Sequence, residues 1–169
     1  MIGLDTNVLV RAAIKDDPGQ AARAQALLSS LTLAQPGFVT HVVLVEVWWV
    51  LTRAYKQPPD LAAMFVARLC ETATIVVQDQ EAVTAALGRV RHFGADFVGA
   101  LIVEVSKAHG APDVQTFDQD AIHRAGMTQV QAPRHAAEPT GARPEHPQVP
   151  THMAVSAGDR PAAPKGSKP

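Results

Sequence analysis

The sequence predicts an α/β fold built on an open parallel sheet with helices on both faces. Three observations carry the prediction. Short apolar or β-branched stretches alternate with helix-length segments from residue 1 to about 131, acids, prolines and glycines punctuate the helix ends, and acids recur where strands stop. In such folds ligands occupy the crevice outside the carboxyl ends of the strands, so acids placed there are the first candidates for chemistry.

Ile2 to Leu4 reads as a buried strand that ends at Asp5 and turns into a helix at Thr6 and Asn7. Asp16-Asp17-Pro18-Gly19 is turn chemistry, after which Ala24, Leu27, Leu28 and Leu31 mark one face of a second helix. Phe38 to Thr40 is a strand. Val42 to Tyr55 is apolar nearly all round, long enough for a helix, and carries Glu46 as its only acid, so the helix is expected to be buried. Core is favoured over a dimer surface for Trp48 and Trp49.

Pro58-Pro59-Asp60 opens a helix through Cys70, Thr74 to Val77 is a β-branched strand, and Asp79 or Gln80 starts a helix towards Val90. Asp96 opens a further helix through His109, with Gly110 suited to a left-handed cap. A strand at Val114 to Thr116, a small helix from Asp120 to Ala125 stopped by Gly126, and a strand near Thr128 to Val130 complete the body. From residue 132 to 169 the composition turns to Pro, Ala, His and Gly with few large apolar side chains, so this tail is expected to be disordered.

At 169 residues and 47% hydrophobic content the chain suits one globular domain, residues 1–131, followed by that tail. The net charge of -1 gives no global attraction to nucleic acid, so a polyanion needs a local basic patch or a bound metal. Arg11, Lys15, Arg53, Lys56, Arg89 and Arg91 are candidates for that patch, against the simpler reading of solvated helix faces. Cys70 is the one cysteine, which excludes an internal disulfide and a cysteine-rich zinc site. The histidines lack paired zinc-ligand spacing. The start has no secretory leader pattern and no apolar run reaches membrane-spanning length, so a cytoplasmic location is expected.

Asp5, Glu46, Asp96 and Asp118 are the candidate site, remote in sequence yet placed where a parallel fold brings them together. Buried carboxylates repel unless something positive lies between them, and Mg²⁺ or Mn²⁺, which takes oxygen ligands, answers that need. Each acid also has a structural reading. Asp5 and Asp96 suit helix caps, Asp118 suits a turn with Asp120, and Glu46 suits a buried ion pair with Arg53, two turns along the same face.

The segments MIGLDTNVLVR, FVTHVVLVEVWWVLTRAY, ADFVGALI and QTFDQDAIHRAG, in that order and spacing, resemble the PIN-domain family, and within it the VapC-type toxins. The resemblance covers about residues 1 to 130. It implies a three-layer α/β/α domain around a parallel sheet and a Mg²⁺- or Mn²⁺-dependent endoribonuclease, a hydrolase often paired with an antitoxin and commonly dimeric. Asp5 matches the first acid, Glu46 the second and Asp118 the fourth. In relatives the third helix motif usually reads Asp-Phe-x-Asp-Ala-Leu-Ile; here Gly99 stands where the second of those acids would be, and Asp96 lies one turn earlier on the same face. The implied roles are metal ligands for Asp5 and Asp118, ligand or water-orienting base for Glu46, and ligand or outer support for Asp96.

Two other functions compete. An acid ending the first strand is also where phosphoaspartate enzymes keep their nucleophile, although the hydrolase version wants a second acid where Asn7 stands. A PIN-like fold that binds RNA or an antitoxin without cutting is the other, and Gly99 is its motive.

Overall fold

A computed structural model of the chain describes residues 1–131; the expected disordered tail, 132–169, lies outside the described residues. The strand–helix alternation is present in the expected order. Strand β1 (Ile2–Gly3) leads into α1 (Thr6–Ile14) and α2 (Pro18–Ser30); β2 (Gly37–Val39) leads into α3 (His41–Trp49). Next come α4 (Pro59–Glu71), β3 (Ile75–Val77), α5 (Gln80–Phe93), α6 (Phe97–Ala108), β4 (Gln115–Thr116) and β5 (Thr128–Gln129).

Local chemistry sets the boundaries. Asp17 caps α2 by accepting from the Gln20 N–H, with Pro18 in the first turn where its missing N–H costs nothing. Thr40 caps α3 through the Val43 N–H, and Pro59 opens α4. Gly94 ends α5 at φ +63, and Gly110 follows α6 at φ +83, a conformation that costs glycine little.

Every strand pairing is parallel. Ile2 lies opposite Gly37, and Gly37 opposite Ile75, giving a three-stranded sheet in the order β1-β2-β3. Gln115 lies opposite Thr128 in a separate β4-β5 pair. The parallel sheet expected is present, in two parts among the described residues. Strands β4 and β5 consist of Gln115, Thr116, Thr128 and Gln129, with no large apolar side chain to bury between helices.

The core is formed where the helices meet over β2 and β3: Leu9, Val39, Leu44, Val47, Val66, Val83, Phe97 and Val103 are fully buried. α1 packs against α2 and α3, α4 against β3 and α5, and α6 against both α5 and α3. Trp48 and Phe97 stack with ring centroids 4.9 Å apart and planes at 34°, joining α3 to α6. No described helix is long and apolar enough to cross a membrane.

The helix expected over Val42 to Tyr55 is present, but its last turn, Val50–Ala54, is wound as a π-helix, closed by the Tyr55 N–H on the Val50 carbonyl at 3.0 Å. Nor is it buried all round. Leu44, Val47 and Trp48 face the core, whereas Val42 is 76% and Trp49 60% exposed. A second π-helical turn, Ala121–Ala125, stands where a small helix was expected and is ended by Gly126 at φ +78.

Candidate functional site

Strand β1 delivers Asp5 to the sheet's carboxyl edge, as its position after Leu4 predicts. Asp5 is the N-cap of α1, and its Oδ2 accepts from the Asn7 backbone N–H at 3.3 Å and the Asn7 amide at 3.4 Å. The capping role and the site position coexist in one side chain.

Glu46 departs from expectation. It is exposed, because the buried face of α3 is Leu44, Val47 and Trp48 and the acid falls away from it. Its partner is Thr6, whose Oγ1 donates to Glu46 Oε2 at 2.7 Å. No ion pair joins Glu46 to Arg53 among the described residues. The two-turn spacing that suggested one assumes α-winding, and the π-helical turn beginning at Val50 rotates Arg53 off that face.

Thr6, which the sequence places only at the turn into α1, is the side chain that ties Glu46 to the strand end. At 3% exposure it is the one buried polar side chain among the described residues, and it ties the end of β1 to the middle of α3. The available signal was position: a hydroxyl directly after a strand-ending acid, pointing inward while its neighbours point out.

Asp96 caps α6, its Oδ2 accepting from the N–H groups of Val98 at 3.0 Å and Gly99 at 3.3 Å. Asp118 makes a turn, its Oδ1 accepting from Asp120 N–H at 2.9 Å and Ala121 N–H at 3.4 Å while Thr116 Oγ1 takes the Asp118 N–H. For both, the structural role foreseen in the sequence is present. Asp5, Glu46, Asp96 and Asp118 are all exposed, so the premise of acids forced together inside the protein is corrected. Their charges are solvated, and mutual repulsion does not demand an ion.

Each of the four spends one oxygen on these bonds, and its other oxygen has no protein donor among the described residues. Oxygen acceptors of that kind suit a hard dication chemically. Their arrangement does not complete the match. Among the described residues no three Asp, Glu, His or Cys side chains gather closely enough to hold one ion together. Gly99, half-buried on α6, supplies no donor where the resemblance expects one. The acids thus fit a dication in kind but not as a converged set.

Two groups of charged side chains pair among themselves. Glu104 bonds Arg89 and, at 3.1 Å, Lys107; burial alone would push its carboxyl up, and the two cations outweigh that to hold it below the usual range. Arg11 bonds both oxygens of Asp16, which also accepts from Tyr55 at 2.6 Å, and these bonds, Arg11's first, lower the Asp16 carboxyl. Burial pushes the Cys70 thiol up, in keeping with a half-buried packing residue.

No match was found among curated proteins or among solved structures. The model of the PIN domain matches residues 2–127, which takes in β1 through the turn before β5 and all four acids. With three-quarters of its length matched and a parallel α/β body that carries Asp5 at the end of its first strand, the chain belongs to the PIN domain family, whose members are generally nucleases.

Proposed function

We propose that this PIN domain is an endoribonuclease of the VapC toxin kind, hydrolysing RNA phosphodiester bonds and held in check by a cognate antitoxin. The observation that supports it most is the Thr6–Glu46 bond, which brings Glu46 to the strand end occupied by Asp5. Two acids that are 41 positions apart in the sequence thereby share one edge of the sheet.

Hydrolysis needs a water oriented on phosphorus and a route for its proton. A free carboxylate oxygen on Asp5 or Glu46 accepts that proton, and Thr6 fixes the Glu46 head for the role. As the water oxygen bonds to phosphorus the 3' oxygen leaves and takes a proton from solvent water, giving 5'-phosphate and 3'-hydroxyl ends. Mg²⁺ or Mn²⁺ is the cofactor that the resemblance implies, and the four acids meet its preference for oxygen without converging on it. A cytoplasmic homodimer completes the reading, supported by Val42 and Trp49 standing exposed on α3.

A specific observation favours a second reading. Gly99 and the unconverged acids suit a PIN fold that binds RNA or an antitoxin without cutting. Incubation of end-labelled RNA with Mn²⁺, Mg²⁺ or chelator separates the two. Dication-dependent cleavage lost in Asp5→Asn supports the nuclease, whereas RNA retention without cleavage by a folded, pure protein supports the second. Gain of cleavage in Gly99→Asp would show an impaired nuclease.

A further inference from the structure

Four of the six cations named from the sequence belong to the two chain segments that one cluster joins: Arg11 and Lys15 at the end of α1, Arg53 and Lys56 beside Tyr55. Tyr55, just after the π-helical turn, donates its hydroxyl to Asp16 at 2.6 Å and lies 3.4 Å from Arg11 Nη1. These bonds bring the end of α1, with Arg11 and Lys15, against the end of the α3 segment, with Arg53 and Lys56. Arg89 is bound to Glu104 elsewhere. Arg11 is partnered by Asp16, but Lys15, Arg53 and Lys56 are exposed and none forms an ion pair with a described residue.

Two of those three lysine and arginine residues are held at a cost. Lys15 has φ +58 and Lys56 φ +51, the left-handed region that a residue with a Cβ rarely enters. The local balance is four cations against the carboxylates of Asp16 and Asp17, in a chain whose net charge is -1. Such a concentration matches a polyanion rather than an acidic side chain, because several unpaired charges are offered together.

Its distance from the acids gives it direction. Thr6 on α1 meets Glu46 on α3, and further along the same two segments Arg11 meets Tyr55. At about 1.5 Å of rise per residue the Arg11–Tyr55 contact stands roughly 8 Å from Thr6 along α1 and roughly 13 Å from Glu46 along α3. We infer that Lys15, Arg53 and Lys56, gathered by the Arg11–Asp16–Tyr55 cluster, form a docking patch for the phosphate backbone of a single-stranded RNA whose neighbouring segment lies at Asp5 and Glu46. This rests on the ribonuclease reading for its choice of RNA over another polyanion.

The test is binding of a labelled single-stranded RNA followed by fluorescence anisotropy in chelator, across a salt series. The triple variant Lys15→Asn, Arg53→Gln, Lys56→Asn is used because asparagine tolerates the left-handed backbone and the fold is preserved; unchanged thermal melting checks this. Three lost phosphate contacts make the slope of log affinity on log salt shallower by about 2 and weaken binding about a hundredfold at 0.1 M salt. Arg91→Gln, outside the patch, leaves the slope unchanged, and a DNA strand of the same sequence shows the same dependence on the three cations.

An unaltered slope in the triple variant, an equal loss in Arg91→Gln, or no RNA binding by the unaltered protein overturns the inference. RNA binding with the expected slope but no cleavage sinks the nuclease reading and leaves the patch standing. Cleavage with an unchanged slope does the reverse.

Discussion

Thr6 Oγ1 donates to Glu46 Oε2 at 2.7 Å, and through this bond a buried hydroxyl holds an exposed carboxylate. The bond joins the first turn of α1 to the middle of α3, so the strand end that carries Asp5 and the helix that carries Glu46 are positioned by one contact. Hydrogen bonds to charged acceptors are worth about 1.5–3 kcal/mol when buried, and less where water can replace the donor, as it can at Glu46.

Thr6→Val keeps the side-chain shape and removes the donor. Stability measured by urea unfolding is expected to fall by about 1 kcal/mol, below the range for a charged acceptor because water can reach Glu46. Any RNA cleavage should fall further than stability explains, since Glu46 loses its orientation. Cleavage equal to that of the unaltered protein would detach Glu46 from the chemistry.

Gly99 sits inside α6 with room around it: an added Cβ would meet Ala125 Cβ at 3.6 Å and Met127 Cε at 3.7 Å, ordinary contacts. Gly99→Ala is therefore expected to stabilise the protein by about 0.5–1 kcal/mol, read as a higher urea midpoint with an unchanged slope. Gly99→Asp starts from the same Cβ position, and calorimetry with Mn²⁺ should show tighter binding for it than for the unaltered chain. A destabilised Gly99→Ala would mean that the helix needs its glycine for close approach.

The two adjacent tryptophans should behave oppositely. Trp48 is 5% exposed and stacked on Phe97, so Trp48→Ala is expected to cost about 3–5 kcal/mol. Trp49 is 60% exposed, and Trp49→Ala should change monomer stability by no more than about 0.5 kcal/mol. If Trp49→Ala instead shifts the sedimentation of the protein from dimer to monomer, that side chain belongs to the surface between two copies.

Acid should loosen the Glu104 cluster. The Glu104 carboxyl is held below its ordinary value in the folded chain, so its contribution to stability is complete above about pH 4.3, the unfolded value, and is lost as pH falls through the folded one. Urea midpoints measured between pH 6 and pH 3 should show a steeper acid decline for the unaltered protein than for Glu104→Gln. Parallel curves would show that Arg89 and Lys107 contribute nothing through this carboxylate.

Much of the fold was legible in local signals. Asp17-Pro18 and Asp96 each begin a helix, Gly110 and Gly126 each take a left-handed backbone at a helix end, and Thr74 to Val77 forms a strand one residue shorter than its β-branched run, whereas Thr40, read as strand, caps α3. These are decided by neighbours in sequence. What the sequence hid depends on partners. The apolar run from Val42 to Tyr55 implies burial on every side, yet which side of α3 meets the core is set by α1 and α6, and Glu46, Val42 and Trp49 fall outside it.

The site was legible in the same uneven way. Asp5 stands at the strand end as its position implied, and Asp96 and Asp118 took the caps and turns that their neighbours offered. The Thr6–Glu46 bond, 40 residues in span, and the π-winding that diverts Arg53 have no local signature. The division of the sheet likewise follows from strands two or three residues long, whose pairing is settled by packing rather than by propensity.

The tilted rings of Trp48 and Phe97 meet where α3, which carries Glu46, packs on α6, which Asp96 caps. The spacing of those two helices is set in part by the bulk of the two rings. Evolution can widen or narrow it by exchanging one ring for another, retuning the outer surface without altering a single charge upon it.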